Sequence, residues 1–265
     1  LVAACAERPL ESAQLRAELP REAVPLVAVP PSGVIAQPAA PKANDVQNIL
    51  AVSGGGADGA FGAGVLVGWS ESGKRPKFDI VTGVSTGAFM ATLAFAGPHH
   101  DGTLKKLYTN SSNADIYEDK GAAGLVTESL LDEAPLRKLI ERIVNKSFVA
   151  EIAAQHAAGR RLYVATTNLD SGELVVWDMG AIAAGNRADP VLMFQKVLRA
   201  SAAVPGFFAP VYIKPYKGIE ARQAHVDGGV KSPMLIKSFM FETPARQRNL
   251  YVVVNGSLNR LNASA

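Results

Sequence analysis

The stretch SGGGADGAFGAG at residues 53–64 narrows what this chain can fold into, because six of its twelve residues are glycine. It follows an apolar run, NILAV at 48–52, and leads into a segment with helical character at 61–70. A short apolar run bounded by such a loop reads as a buried strand. Glycine inside a helix costs about 1 kcal/mol per residue relative to alanine. Gly62, Gly64 and Gly68 therefore predict a helix packed closely on a sheet or a partner helix. The same order recurs immediately: the apolar run FDIVT at 78–82, the turn GVSTG at 83–87, then a helix to Ala96 ended by Gly97–Pro98. Strands separated by helical segments predict βαβ units and a sheet with parallel pairs.

The alternation continues. Residues 129–145 carry Leu136, Leu139, Ile140 and Ile143 at helical spacing, with Asp132 placed as N-cap and Pro135 in the first turn. A further helix is expected at 148–158, strands at 161–168 and 173–178, a helix at 191–203 stopping before Pro205, and a late strand at 250–255. Residues 102–120 are polar and mixed, with no element assigned. The pattern predicts an α/β protein, three-layer α/β/α with a largely parallel or mixed central sheet. Abundant Gly and Ala with only 7% aromatic residues suits such close packing.

Net charge is +3, and the basic clusters Lys74–Arg75–Lys77 and Arg160–Arg161 read as solvated loops, so no nucleic-acid partner is expected. No apolar run is long enough to span a bilayer. Residues 1–46 are rich in Pro and Ala, and their proline spacing forbids a long helix. They read as a tether or strap, with 47–265 as the folded domain. Cys5, the single cysteine, excludes an intramolecular disulfide. Its setting, LVAAC, resembles the lipobox of bacterial lipoproteins, in which the cysteine becomes the lipidated first residue. That resemblance implies a bacterial cell-envelope protein anchored through Cys5.

The glycine loop has two readings. Gly54, Gly56 and Gly59 satisfy the dinucleotide fingerprint G-x-G-x-x-G. Its acidic partner would be Asp79, which stands at the start of the second strand, the wrong end for a ligand lying across the strands' carboxyl ends. GVSTG offers the other reading. A serine between a strand and a helix, flanked by Gly83 and Gly87, points out at the top of a sheet as a nucleophile. Ester attack by Ser85 creates an oxyanion, and Gly54–Gly56 can present N–H groups to it with no Cβ in the way. For the base, His99, His100 and His156 read as surface residues, whereas QAHVDGGVKSP at 223–233 offers both His225 and Asp227.

SGGGADG at 53–59, GVSTG at 83–87, ASAAVPGFFAP at 200–210 and DGG at 227–229 resemble, in this order, the conserved blocks of the patatin-like phospholipases. The resemblance implies a patatin-like fold and a Ser–Asp dyad without histidine. Ser85 would be the nucleophile, Asp227 the general base, and Gly54, Gly55 and Gly56 the oxyanion hole. Gly59, Gly83, Gly87, Gly228 and Gly229 would support these motifs. It further implies hydrolysis of phospholipid or lysophospholipid acyl esters at a membrane surface, with no metal or cofactor. The chain departs from the family at Asp58, where a basic residue is usual, and in the run Val230–Pro233, which lacks the Asn that often precedes this Pro. A closing segment is expected to be missing after residue 265. The alternatives are a Ser–His–Asp triad using His225, a nucleotide-binding module, and a non-catalytic lipid-binding protein.

Overall fold

The computed structural model describes residues 27–28, 46–109, 118–119, 130–185, 189–214, 222–242 and 244–256. Cys5 and nearly all of the Pro/Ala-rich stretch lie outside them. In chain order the elements are β1 Val27–Ala28, β2 Val46–Val52, α1 Gly59–Glu71, β3 Ile80–Val84, α2 Thr86–Ala96, α3 Asp101–Thr109 and β4 Glu118–Asp119. They continue with β5 Leu131–Asp132, α4 Ala134–Ile143, α5 Lys146–Ala157, β6 Arg161–Asn168, β7 Leu174–Asp178 and α6 Met179–Ala184. The last are α7 Pro190–Ser201, β8 Val211–Ile213, β9 Gln223–Asp227 and β10 Gln247–Val253.

The main sheet runs β1-β7-β6-β3-β2-β10 and is mixed. Strands β10, β2, β3 and β6 are mutually parallel, and β7 turns back antiparallel to β6. The long strand β6 pairs with β3 as far as Ala165, opposite Val84. From Thr166 onward it pairs antiparallel with β9, and Thr166 lies opposite Asp227. Strand β7 occupies the other edge of β6, so β3 and β9 share one edge and meet with their carboxyl ends facing each other.

Side chains alternate across the strands. Leu50, Val52, Val81, Leu162 and Val164 face the larger core, shared with the helices. Ile49, Ile80, Tyr163 and Ala165 face a smaller one, covered by Leu235 and by the 3-10 turn Ser238–Phe241. The α/β architecture with a mixed sheet is the one that the strand–loop–helix pattern predicts.

Several local expectations need correction. Arg160 and Arg161 are buried, not solvated. Arg160 donates from Nε to the Phe78 carbonyl (2.6 Å) and from Nη1 to the Phe95 carbonyl (2.8 Å), and its guanidinium lies 4.3 Å from the Phe95 ring centroid. The Arg75 side chain is likewise enclosed and pairs with Asp101 at 2.8 Å. His156 is enclosed as well, with Nδ1 3.6 Å from Asp178 Oδ1. Burial lowers the pKa of this imidazole, and the Asp178 carboxylate partly opposes that shift. Asp132 accepts the Ala134 N–H at 2.8 Å, but Glu133 is the N-cap residue of α4. Residues 101–109 form α3, whose polar composition hides a narrow apolar stripe centred on buried Leu104.

The glycines of α1 divide into two kinds. A Cβ at Gly62 would strike Asn255 Oδ1 and lie 2.9 Å from Val253 Cγ1, whereas Gly64 and Gly68 face open space. Close packing thus explains Gly62 but not the other two. Gly64→Ala should raise the unfolding free energy by up to about 1 kcal/mol through helix propensity alone. Gly62→Ala should lower it, because its Cβ has no room. Urea titration of both variants checks the opposite signs, and equal effects would contradict this packing.

Candidate active site

Ser85 follows β3 directly and precedes α2. It adopts φ 56°, ψ −129°, the one non-glycine residue with positive φ among those described. Such a conformation costs on the order of 1–3 kcal/mol and persists where the surroundings impose it. Here the Ser85 N–H donates to Ser201 Oγ at 2.9 Å, and the Ser201 hydroxyl donates to the Ala165 carbonyl at 2.8 Å. The elbow is thereby tied to β6. Gly83 and Gly87 serve it by close approach: a Cβ on Gly83 would lie 2.7 Å from Ala88 Cα, and one on Gly87 2.6 Å from the Val52 carbonyl oxygen. The helix α2 can then press against β2 and β3 and direct its positive end at the serine.

Asp227 ends β9, and the head-to-head arrangement of β3 and β9 brings it to Ser85. The Ser85 side chain lies close enough to the Asp227 carboxylate to lower its pKa, and Oδ1 accepts the Gly229 N–H at 2.6 Å. Its backbone N–H donates to the Ala203 carbonyl at 2.9 Å, and its carbonyl accepts from Thr167 Oγ1 at 3.0 Å. Burial raises the Asp227 pKa, and the Ser85 side chain and the Gly229 N–H partly offset the shift. A Cβ at Gly228 would lie 2.6 Å from the Ala165 carbonyl oxygen, which explains a glycine directly after this aspartate.

His225 is two residues away but does not join this pair. Its Nδ1 lies 3.0 Å from Thr166 Oγ1, and its ring meets Trp177 edge-on at 5.2 Å. The Thr166 hydroxyl also accepts from Trp177 Nε1 at 2.8 Å. Burial pushes the His225 pKa down to about 4, which keeps the ring neutral. Its Nε2 is buried and has no partner among the described residues.

The glycine loop borders Ser85 from the β2 side. A Cβ on Gly54 would lie 3.2 Å from Ser85 Cβ. The Gly54 N–H, however, is donated to the Pro233 carbonyl at 2.8 Å. Gly54 therefore lines the site through its lack of a side chain and is not a free donor, a correction to its expected role. Gly55 and Gly56 take positive φ, 154° and 55°, and their N–H groups have no acceptor among the described residues.

Asn255 holds both ends of this loop, and sequence reasoning missed it. Its side-chain amide donates to the Ser53 carbonyl at 2.8 Å, before the loop. Its Oδ1 accepts the Gly62 N–H at 3.1 Å, after the loop, in the first turn of α1. Its backbone N–H adds a bond to Ser53 Oγ at 2.8 Å. Tyr108 and Gly59 complete the floor. The Tyr108 hydroxyl lies 2.7 Å from Thr86 Oγ1, and a Cβ on Gly59 would lie 2.7 Å from the same atom. Burial pushes the Tyr108 pKa up to about 12, so the phenol stays protonated. Asp58 is exposed on the 3-10 turn Gly56–Asp58, at the outer side of the loop.

An apolar cavity of about 460 Å³ opens beside Ser85. Gly56, Ser85 and Thr86 are among its lining residues, together with apolar Phe89, Leu136 and Leu198. A predominantly apolar cleft with a few convergent polar groups is the usual form of a ligand site.

Residues 50–240 match the family model described as patatin-like phospholipase. No curated protein matches the chain. Among solved structures, VipD from Legionella pneumophila is similar in fold, with a TM-score of 0.50 and 15% identity over 81% of this chain. The chain spans about half of VipD, 50% of its length. Well over half of the chain lies within the family match, and the chain belongs to the patatin-like phospholipase family.

Proposed function

We propose that this protein is a serine carboxylic-ester hydrolase acting on lipid acyl esters, of the phospholipase A or lysophospholipase type. The observation that carries this reading is the approach of the Ser85 side chain to the buried Asp227 carboxylate beside an apolar cavity. In this mechanism the acyl chain lies in the cavity and the ester carbonyl stands over Ser85. Ser85 Oγ attacks the carbonyl carbon while Asp227 takes its proton. The N–H groups of Gly55 and Gly56 receive the oxyanion, each such donor being worth about 3 kcal/mol of barrier. Collapse of the intermediate expels the alcohol, which takes the proton from Asp227, and water then hydrolyses the acyl-enzyme by the same steps.

An aspartate is a weak base at its ordinary pKa near 4. Burial raises it, which favours proton transfer at the moment the oxyanion forms. Asp58 puts a carboxylate where the family usually has a basic residue, so lipids whose headgroup carries net negative charge are disfavoured in this reading. Exposed Val204, Phe207 and Val230 flank the site and suit work at a lipid surface. Among the described residues no helix is long and apolar enough to cross a membrane. Attachment to a bacterial envelope is assigned in this proposal to a lipidated Cys5, on the lipobox-like setting LVAAC.

Three variants assayed together on a short-chain p-nitrophenyl ester test the roles. Asp227→Asn should lower kcat by about 10²–10⁴-fold, because the amide keeps the shape but cannot take a proton. His225→Gln should retain most of the activity. Asn255→Ala should lower kcat by about tenfold to a hundredfold with little change in KM, since it releases the loop that aims the oxyanion donors. The acid limb of the wild-type pH–rate profile should lie above the ordinary aspartate value and persist in His225→Gln. An inactive His225→Gln beside an active Asp227→Asn would overturn the dyad.

The anchor is tested separately. A precursor bearing a bacterial signal peptide should partition into detergent when expressed in a bacterium, and Cys5→Ala should release it. An unmodified, soluble wild type would contradict lipidation.

A further inference from the structure

At the far end of α2 from Ser85, three side chains outside the proposed active site converge. His99 and His100 belong to the 3-10 turn Pro98–His100, and Glu151 lies on α5. His99 Nε2 is 2.8 Å from Glu151 Oε1, and His100 Nε2 is 2.9 Å from Oε2. The three potential ligand atoms all lie within 4.8 Å of one another.

The local chain builds this convergence. Gly97 takes φ 139°, and a Cβ there would lie 3.1 Å from His99 Nδ1, so the glycine lets the ring fold back over the turn. The two imidazoles lie 4.3 Å apart with planes tilted by 44°. His100 is steadied from behind by Phe148, edge-on at 5.1 Å. Adjacent residues thus present their Nε2 atoms to one carboxylate, from two elements that are each fixed in the fold.

We propose that His99, His100 and Glu151 form a binding site for a borderline divalent cation, zinc being the best match. Two imidazoles and one carboxylate are a zinc ligand set, whereas magnesium and calcium favour all-oxygen shells. Zinc bonds of about 2.0–2.2 Å place tetrahedral ligand atoms about 3.3 Å apart, so the side chains need to shift by roughly an ångström. His99, with a side chain 62% exposed, has room to do so and leaves the ion a path from solvent. A water would take the fourth position. The ion would replace the two imidazole-to-carboxylate hydrogen bonds and join the end of α2 to α5. The eleven residues of α2 put this site about 16 Å from Ser85 at 1.5 Å rise per residue. Its role is therefore to brace the nucleophile's helix and not to enter the ester chemistry.

The test is calorimetric titration of ZnCl₂ into the intact, chelator-stripped protein, with His99→Ala and Glu151→Gln in parallel. Wild type should bind one equivalent that either variant weakens by about tenfold or more, while both variants keep their esterase activity and fold. Cobalt(II) should give the absorption of a tetrahedral site in wild type and lose it in Glu151→Gln. No saturable zinc binding in wild type, or undiminished binding in both variants, would overturn the proposal.

Discussion

The site depends on one feature of strand pairing. β6 is longer than either strand that shares its inner edge, and it serves both in succession, β3 up to Ala165 and β9 from Thr166. Because β3 is parallel to β6 and β9 antiparallel, their carboxyl ends must face each other. Ser85 follows the last residue of one and Asp227 is the last residue of the other. Backbone hydrogen bonds of a rigid sheet therefore set the approach of two residues 142 positions apart. Ser201 strengthens the join, since its hydroxyl links the Ser85 N–H to the Ala165 carbonyl at the point where the two strands meet.

This arrangement costs free energy, and the structure shows where the cost is met. The left-handed conformation of Ser85 and the burial of the Asp227 carboxylate are both unfavourable locally. Ser85 is held by its N–H on Ser201 Oγ and its carbonyl on the Ala88 N–H, and the Asp227 carboxylate by the Gly229 N–H. The glycine loop shows the same principle. The Gly55 and Gly56 N–H groups have no acceptor among the described residues to fix the loop, and Asn255 holds it from both ends. An aspartate there would lack the donor to Ser53 and add a buried charge, so the neutral amide with one donor and one acceptor side is what the position requires.

Much of this was legible in the sequence. The strand, glycine turn and helix order at 48–70 and 78–96 predicted β2, α1, β3 and α2 to within a few residues, because apolar runs and glycine clusters are local signals. GVSTG and DGG marked Ser85 and Asp227. What stayed hidden was non-local. Nothing in the run QRNLYVVVN says that Asn255 will reach back across 200 residues to Ser53. Nor does glycine content tell which N–H will be spent on Pro233, as that of Gly54 is. Arg160 and His156 read as surface because charge was the local signal, whereas tertiary acceptors at Phe78 and Phe95 and a carboxylate at Asp178 allow them inside. α3 was missed because its apolar stripe is narrow, β8 because it has only three residues, and β9 because Gln223, His225 and Asp227 leave it without an apolar run.

The central claim is that the meeting of β3 and β9 makes Ser85 a live nucleophile. An active-site-directed fluorophosphonate reads this without choosing a lipid, since it reacts with a serine whose proton is being removed and whose oxyanion is being stabilised. Intact mass and peptide mapping should find a single adduct on Ser85 in the wild type and a strongly slowed reaction in Asp227→Asn. No adduct, an adduct on a serine other than Ser85, or equal labelling of both proteins would contradict it.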